Sequence, residues 1–476
     1  MASLVLITGW LAAGLGPAAF AVYGLSRRIV SVAAAVAPAP LGLALARAQA
    51  GVQTRKEQDA YLWAATLLAL GSSVAIVGAG AVAPGFWSRL LLTDGRYQDV
   101  LFASLALVVG NLVYTLVFSH LRGTYKIDAA NLWQLWIQAI GPIIAVALAA
   151  NRSPVSVIVL LFAAIAFTAI VPLVAWLVRG VREGITRADI RPPIQRLLRY
   201  SVPRIPGAAA LAGLTAVGPL LAPYFGDLRE AGFLVAAQSV LRVAEVGTAG
   251  FGLVVLPKVS ALQARQQDQF LQARVEDLVG LVLHIGLFTA CQLAVWAPEI
   301  VRVWLGDAYN AAVPVVRALL VALVPYLGFT MLRSVIDGIE ERPVNAWNLY
   351  AALACTTVLS LVLGAAGWGA VGLALASVAG FGVAGILTVT YLRRTLRFGS
   401  THLHAGAAVG FNLVATLFVW LLRRTGLGGL GPAGMLAVGI SLSGVLLLVY
   451  LGALRRMGVR WVDEIEARLL HRGGRR

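Results

Sequence analysis

The residues best placed to do chemistry in this chain are arginines set inside apolar segments. Arg27 and Arg28 fall near the middle of the stretch 18–46, and Arg242 falls near the middle of 231–257. Glu245 follows Arg242 at i+3, a spacing that puts both on one helix face. Ionisable groups at bilayer depth are costly and ordinarily face a cavity or a partner. Guanidinium forks match phosphate oxygens two at a time, so Arg28 and Arg242 predict a cationic cavity that binds an anionic group. A second reading makes Arg242 and Glu245 a structural ion pair, with Arg27 snorkelling to an edge. For Arg27 the cavity and the edge are evenly balanced, because consecutive helical residues project about 100° apart; Arg27, Arg28, Arg242, Glu245 and Arg204 form the candidate binding set. Arg204 lies between Pro203 and Pro206, where it lines the inner mouth of a cleft or serves as a surface anchor. His284, inside an apolar run, reads as a hydrogen-bonded packing residue more than as a proton carrier. Arg333 and Asp337, at i+4, read as an ion pair at the end of a span.

Other chemistry lacks the residues it needs. Cys291 and Cys355 have neither metal-ligand nor disulfide spacing. No nucleotide-binding loop is present, and the short outer connections hold no paired carboxylates for acid–base work. We therefore expect no metal, no cofactor and no catalytic residues. A membrane glycosyltransferase or polymerase is the alternative from a different class.

The elements that must position these arginines are membrane spans. The chain has 476 residues, 59% hydrophobic and 12% charged, with mean hydropathy +0.84. Soluble domains carry about 25% charged residues. The run 153–178 has no charge at all and is long enough to cross a hydrocarbon core of about 30 Å. Apolar runs predict an all-α polytopic protein of about 14 spans, near 2–16, 18–46, 60–83, 98–120, 131–150, 153–178, 202–225, 231–257, 277–297, 312–336, 344–366, 368–392, 404–422 and 431–454. The first is short for a span, and it reads as one missing an N-terminal piece and not as a signal peptide. Pro38, Pro40, Pro142, Pro172 and Pro219 predict kinks.

The net charge of +17 has no aromatic interleaving and no recognisable nucleic-acid module around it, so no nucleic-acid partner is expected. Of the 38 basic residues, 27 fall on the side that holds both termini and seven on the other. The positive-inside rule makes the first side cytoplasmic and predicts a plasma-membrane protein with both termini inside. The segment 460–470 reads as a short helix lying on the inner surface, against membrane lipid.

The chain also repeats itself. Asn131, Trp133, Leu135 and Trp136 recur as Asn345, Trp347, Leu349 and Tyr350 at an offset of 214 residues. Ala83-Pro84 recurs as Ala297-Pro298, and Arg28 as Arg242, at the same offset. The pattern predicts two six-span units in parallel orientation: an N-lobe over 1–178, a cytoplasmic linker over 179–201 carrying Pro192-Pro193, and a C-lobe over 202–392. Two further spans occupy 393–454, and a basic cytoplasmic tail 455–476.

Several short motifs in this order carry a family resemblance. They are Gly16-Pro17 with Ala21-Val22-Tyr23, Gly226-Asp227 with Gly232-Phe233, Leu256-Pro257-Lys258-Val259-Ser260, and Gly367-Trp368-Gly369-Ala370-Val371-Gly372. Over nearly its whole length the chain resembles the multidrug/oligosaccharidyl-lipid/polysaccharide (MOP) exporter superfamily, its polysaccharide-flippase branch in particular. The resemblance implies two six-helix lobes in a V around a central cavity, with alternating access. It implies as substrate an undecaprenyl-diphosphate-linked oligosaccharide, carried to the outer leaflet for surface polysaccharide, with polysaccharide-assembly proteins as possible partners. Arg28 and Arg242 are the positions it marks for the diphosphate. A lipid II flippase and a cation-coupled multidrug exporter are the alternatives within the fold.

Overall fold

A computed structural model describes residues 2–36, 38–149, 153–245, 268–340, 342–397, 403–425, 430–459 and 462. Among the described residues the regular structure is all helical, with no strand. Among the described residues, eleven helices are long and apolar enough to cross a bilayer, or twelve if the bent pair Asp307–Leu320 and Leu323–Ile339 is one span. The chain is thus a multi-pass membrane protein, though the expected fourteen spans are not reproduced as a count. The expected boundary between the first two spans falls at a break at Gly16, and the eighth expected span extends past Glu245 into residues outside the described set. The Leu256–Ser260 motif, Lys258 and, apart from Val462, the expected surface helix over 460–470 lie outside it too.

The chain divides into two compact units, Met1–Val235 with Gly364–Gly369, and Ala236–Leu363 with Ala370–Arg476. The first unit opens with α1 (Ala2–Val36), interrupted at Gly16, whose φ of 69° and ψ of 170° leave the helix. That backbone region is nearly closed to side chains bearing a Cβ, and Pro17 restarts the helix without needing a donor. α2 (Pro38–Ala50) begins on the expected proline break. Then come α3 (Arg55–Val82), α4 (Pro84–Leu92) and α5 (Gln98–Gly123). α5 is the most buried span and packs against α1, α2, α3 and α8 (Val155–Phe167). Gly110 allows the α5–α8 approach, since a Cβ there would meet Ala166 at 2.9 Å.

Between them, α6 (Ile127–Leu135) passes through a π-helical turn at Trp136–Ile140 into α7 (Gly141–Ala149). Pro142 explains the turn: it has no N–H for the Gln138 carbonyl, which accepts instead from Ser3 Oγ at 3.4 Å. α8 and α9 (Ile170–Arg182) meet at a break just before Pro172, and Pro219 sits inside an unbroken helix, α11 (Ile205–Phe225).

The segment 179–201, expected as a linker, is largely helical. α9 runs on through Arg182, and α10 (Arg187–Ser201) contains Pro192 and Pro193 within it. A capping box of Thr186 and Asp189 starts α10, and packing against α2 and α3 holds it. These local and tertiary contacts outweigh the two missing donors. α12 (Leu228–Glu245) leaves the first unit with Gly232 against α1; a Cβ there would sit 2.2 Å from the Pro17 carbonyl.

In the second unit α13 (Asp268–Val295) is followed by α14 (Ala297–Leu305), α15 (Val313–Leu320) and α16 (Leu323–Ile339). α15 and α16 meet at 52°, at the point where Pro325 leaves the Val321 carbonyl without its helical donor. α17 (Val344–Ala365), α18 (Gly369–Leu396), α19 (Ala405–Thr425) and α20 (Pro432–Arg456) complete the chain. The repeat is visible locally. α4 and α14 each have nine residues with proline in the first turn, and each is followed by a 3-10 turn.

Candidate functional site

Arg28 lies in the second half of α1 and is only 5% exposed, whereas Arg27 is exposed. The 100° step between neighbours thus leaves one guanidinium buried and the other exposed. Neighbouring residues fix this part of α1. Ser26 is buried and its hydroxyl is 2.7 Å from that of Ser104 on α5, which in turn donates to the Val100 carbonyl. Gly24 brings α1 against α12, where a Cβ would meet Val235 at 2.5 Å. α1 is therefore pinned on two sides within one turn of Arg28.

Arg242 is half-buried on α12 and belongs to the second unit. Glu245 ends the described part of α12, and its side chain lies outside the described residues. Arg204 lies apart from Arg28, in the turn Val202–Arg204 that joins α10 to α11. Its Nη1 donates to the Tyr200 carbonyl at 2.8 Å, and its guanidinium stands 3.6 Å from the Tyr200 ring centre. Arg47 reaches the same ring at 5.1 Å. Arg204 is thus one of two exposed cations on one aromatic face at the end of α2.

Several charged and polar contacts are not apparent in the sequence. Asp59 on α3 is 1% exposed and takes a bidentate bond from Arg179 on α9, with Nη2 to Oδ1 at 2.7 Å and Nε to Oδ2 at 3.1 Å. Beside it, buried Gln49 donates to the Gln58 carbonyl at 2.8 Å and pairs with His120 Nδ1 at 2.9 Å. In the second unit Glu299 on α14 pairs with Arg423 on α19, which also bonds the Val295 carbonyl and lies over Trp296.

His284 is buried and fully engaged. Its Nε2 is 2.9 Å from the Leu403 carbonyl and its Nδ1 is 2.6 Å from the Tyr450 hydroxyl. The carbonyl only accepts, so Nε2 carries the proton and Nδ1 accepts from Tyr450. His284 is thus a packing residue that fastens α19 and α20 to α13. The Arg333–Asp337 pairing expected from i+4 spacing is replaced: Asp337 accepts from Asn345 Nδ2 at 2.8 Å, and Arg333 lies 6.0 Å from the Phe329 ring centre.

Among the described residues no group of three His, Cys, Asp or Glu could hold a metal ion, and both cysteines are unbridged.

No family model and no curated protein sequence matches the chain. Solved structures do. The lipid II flippase MurJ, in an inward closed conformation, superposes with a TM-score of 0.76 at 14% identity, covering 96% of this chain and 97% of that one. An inward-facing multidrug resistance MATE family transporter of the MOP superfamily gives 0.68 at 17%, over 83% and 95%. A MOP superfamily transporter from Pyrococcus furiosus gives 0.60 at 17%, over 83% and 91%. The chain therefore has the MOP transporter fold. Its structural neighbours are transporters and flippases.

Proposed function

We propose that the protein is a flippase that carries a lipid-linked oligosaccharide across the plasma membrane by alternating access, with Arg28 and Arg242 gripping the diphosphate. The observation that carries this reading is Arg28 itself, 5% exposed at mid-span in an apolar helix. A buried guanidinium at that depth is expensive unless it serves a ligand or a partner. The fold supports a flippase over a drug exporter, because the MATE structure covers 83% of the chain and the lipid II flippase 96%.

Lipid II is the second reading, favoured by that same coverage. Both substrates join a glycan to a polyprenyl diphosphate, so the arginines serve either. The test is complementation in two bacterial strains, one lacking its polysaccharide flippase and one depleted of its lipid II flippase. Each receives the wild type or Arg28→Ala with Arg242→Ala. Rescue of one strain by the wild type alone names the substrate and supports the cationic site. Rescue by both proteins makes the arginines structural. Failure in both strains, with the protein correctly inserted, refutes the reading.

A further inference from the structure

The span Ile127–Ala149 carries a feature the arginines leave unused. It is 23 residues long and apolar, yet Asn131, Gln134 and Gln138 are all exposed along it. Their positions, i, i+3 and i+7, fall on one helix face, and Gln138 is at the midpoint of the span. The amides form a loose row. Gln134 Nε2 donates to Gln138 Oε1 at 3.4 Å, and Gln138 Nε2 donates to the Tyr114 hydroxyl at 3.4 Å. Bonds this long leave much of each amide's capacity unspent. Amides with unmet hydrogen bonds are expensive in hydrocarbon, so this face meets water or a polar ligand and not acyl chains.

The repeat supplies the contrast. At the offset of 214, Asn131, Gln134 and Gln138 correspond to Asn345, Asn348 and Ala352. Asn345 is spent on the Arg333 carbonyl and Asp337. Asn348 is 7% exposed and bonds Thr388, and Ala352 is fully buried. The second copy engages its amides with neighbouring helices, while the first leaves its own exposed. The first copy alone also has the π-helical turn, which adds a residue to the helix beside Gln138, and such turns are frequent at functional sites.

We propose that Asn131, Gln134 and Gln138 hold the sugar portion of the transported molecule. The inference rests on the flippase reading and deepens it. Neutral amides offer donors and acceptors together, which suits sugar hydroxyls, whereas a diphosphate calls for cations.

The test uses the full chain in membranes with Cys291→Ala and Cys355→Ala. Gln138→Cys and, as a lipid-facing control, Leu132→Cys are exposed to a charged thiol reagent. Labelling is measured alone, with an undecaprenyl-diphosphate disaccharide, and with undecaprenyl diphosphate lacking sugar. The expected result is labelling at Gln138→Cys but not at Leu132→Cys, with protection by the glycolipid greater than by the sugar-free lipid. Loss of one net hydrogen bond in Gln138→Leu should weaken glycolipid binding about fivefold and leave the sugar-free lipid unaffected. Labelling no faster than at Leu132→Cys overturns the proposal, and a disulfide-linked dimer of Gln138→Cys would then identify a second copy as the occupant of this face. Equal protection by the two lipids overturns it alone. Failure of the wild type to bind either lipid overturns the flippase reading with it.

Discussion

The Asp59–Arg179 pair makes an asymmetric prediction. Asp59 is 1% exposed, while Arg179 is 28% exposed and keeps a second carboxylate, Glu183, at 3.7 Å. Replacing Asp59 by Asn leaves an arginine that can reach water and Glu183, and forfeits about 1–2 kcal/mol of charge-assisted hydrogen bonding. Replacing Arg179 by Ala leaves a buried carboxylate with its main partner gone, a defect of about 3–5 kcal/mol. The double variant Asp59→Asn with Arg179→Met removes the stranded charge and should recover most of that loss. The assay heats detergent-solubilised protein and follows the monodisperse fraction by size-exclusion chromatography. The expected order of stability is wild type, Asp59→Asn, then the double variant close behind, with Arg179→Ala far below. If Arg179→Ala proved as stable as Asp59→Asn, the carboxylate would not be stranded in the way its burial implies. The explanation from uncompensated charge would then be wrong.

Two further outcomes are open to the same assay. Gly16→Ala has no neighbour within 4 Å to clash with, so its destabilisation, on the order of 1–3 kcal/mol, should come from the backbone conformation alone; an unchanged profile would mean that the break between the two halves of α1 relaxes freely. Tyr450→Phe keeps the stacking on Phe411, whose ring centre is 4.2 Å away, but strips His284 Nδ1 of its donor, and should cost about 1–3 kcal/mol. An effect no larger in Tyr450→Phe with His284→Phe than in Tyr450→Phe alone would confirm that the bond, and not ring packing, is what was lost.

The sequence reading reached the helices more readily than their side-chain contacts. Apolar runs and prolines are local signals. Gly16-Pro17 announces the break in α1, and Pro38 the start of α2, because both act on the backbone they occupy. Pro192 and Pro193 show the limit of such signals: both are accommodated within α10, which a capping box and packing on α2 and α3 hold helical. Arg28 stood out because a charge in an apolar run is visible without knowing its neighbours. Asp59 and Arg179 did not, since each sits at the end of its run, where charges are common. Their pairing depends on α3 and α9 ending side by side across 120 residues. Arg333 and Asp337 show the converse, a spacing that invites a pair whose acid is taken by Asn345 from the next helix.

The duplicated motif bears on function through what differs between its copies. Had the Asn-Trp-Leu-aromatic pattern served packing alone, both copies would be expected to bury their amides, since an exposed amide in an apolar span gains nothing for stability. Asn348 follows that expectation, buried against Thr388, and half-buried Asn345 is bonded to Asp337. Asn131, Gln134 and Gln138 do not. The one extra residue that the π-helical turn adds beside Gln138 comes with a proline at 142, whose lost hydrogen bond Ser3 only weakly replaces at 3.4 Å. A span that gives up helical regularity and keeps polar groups exposed at mid-depth is less stable than its counterpart by construction. Natural sequences retain such defects mainly where function requires them. On the proposed flippase reading, the asymmetry singles out the first copy, and its amide row, as the part of the repeat that would meet the cargo.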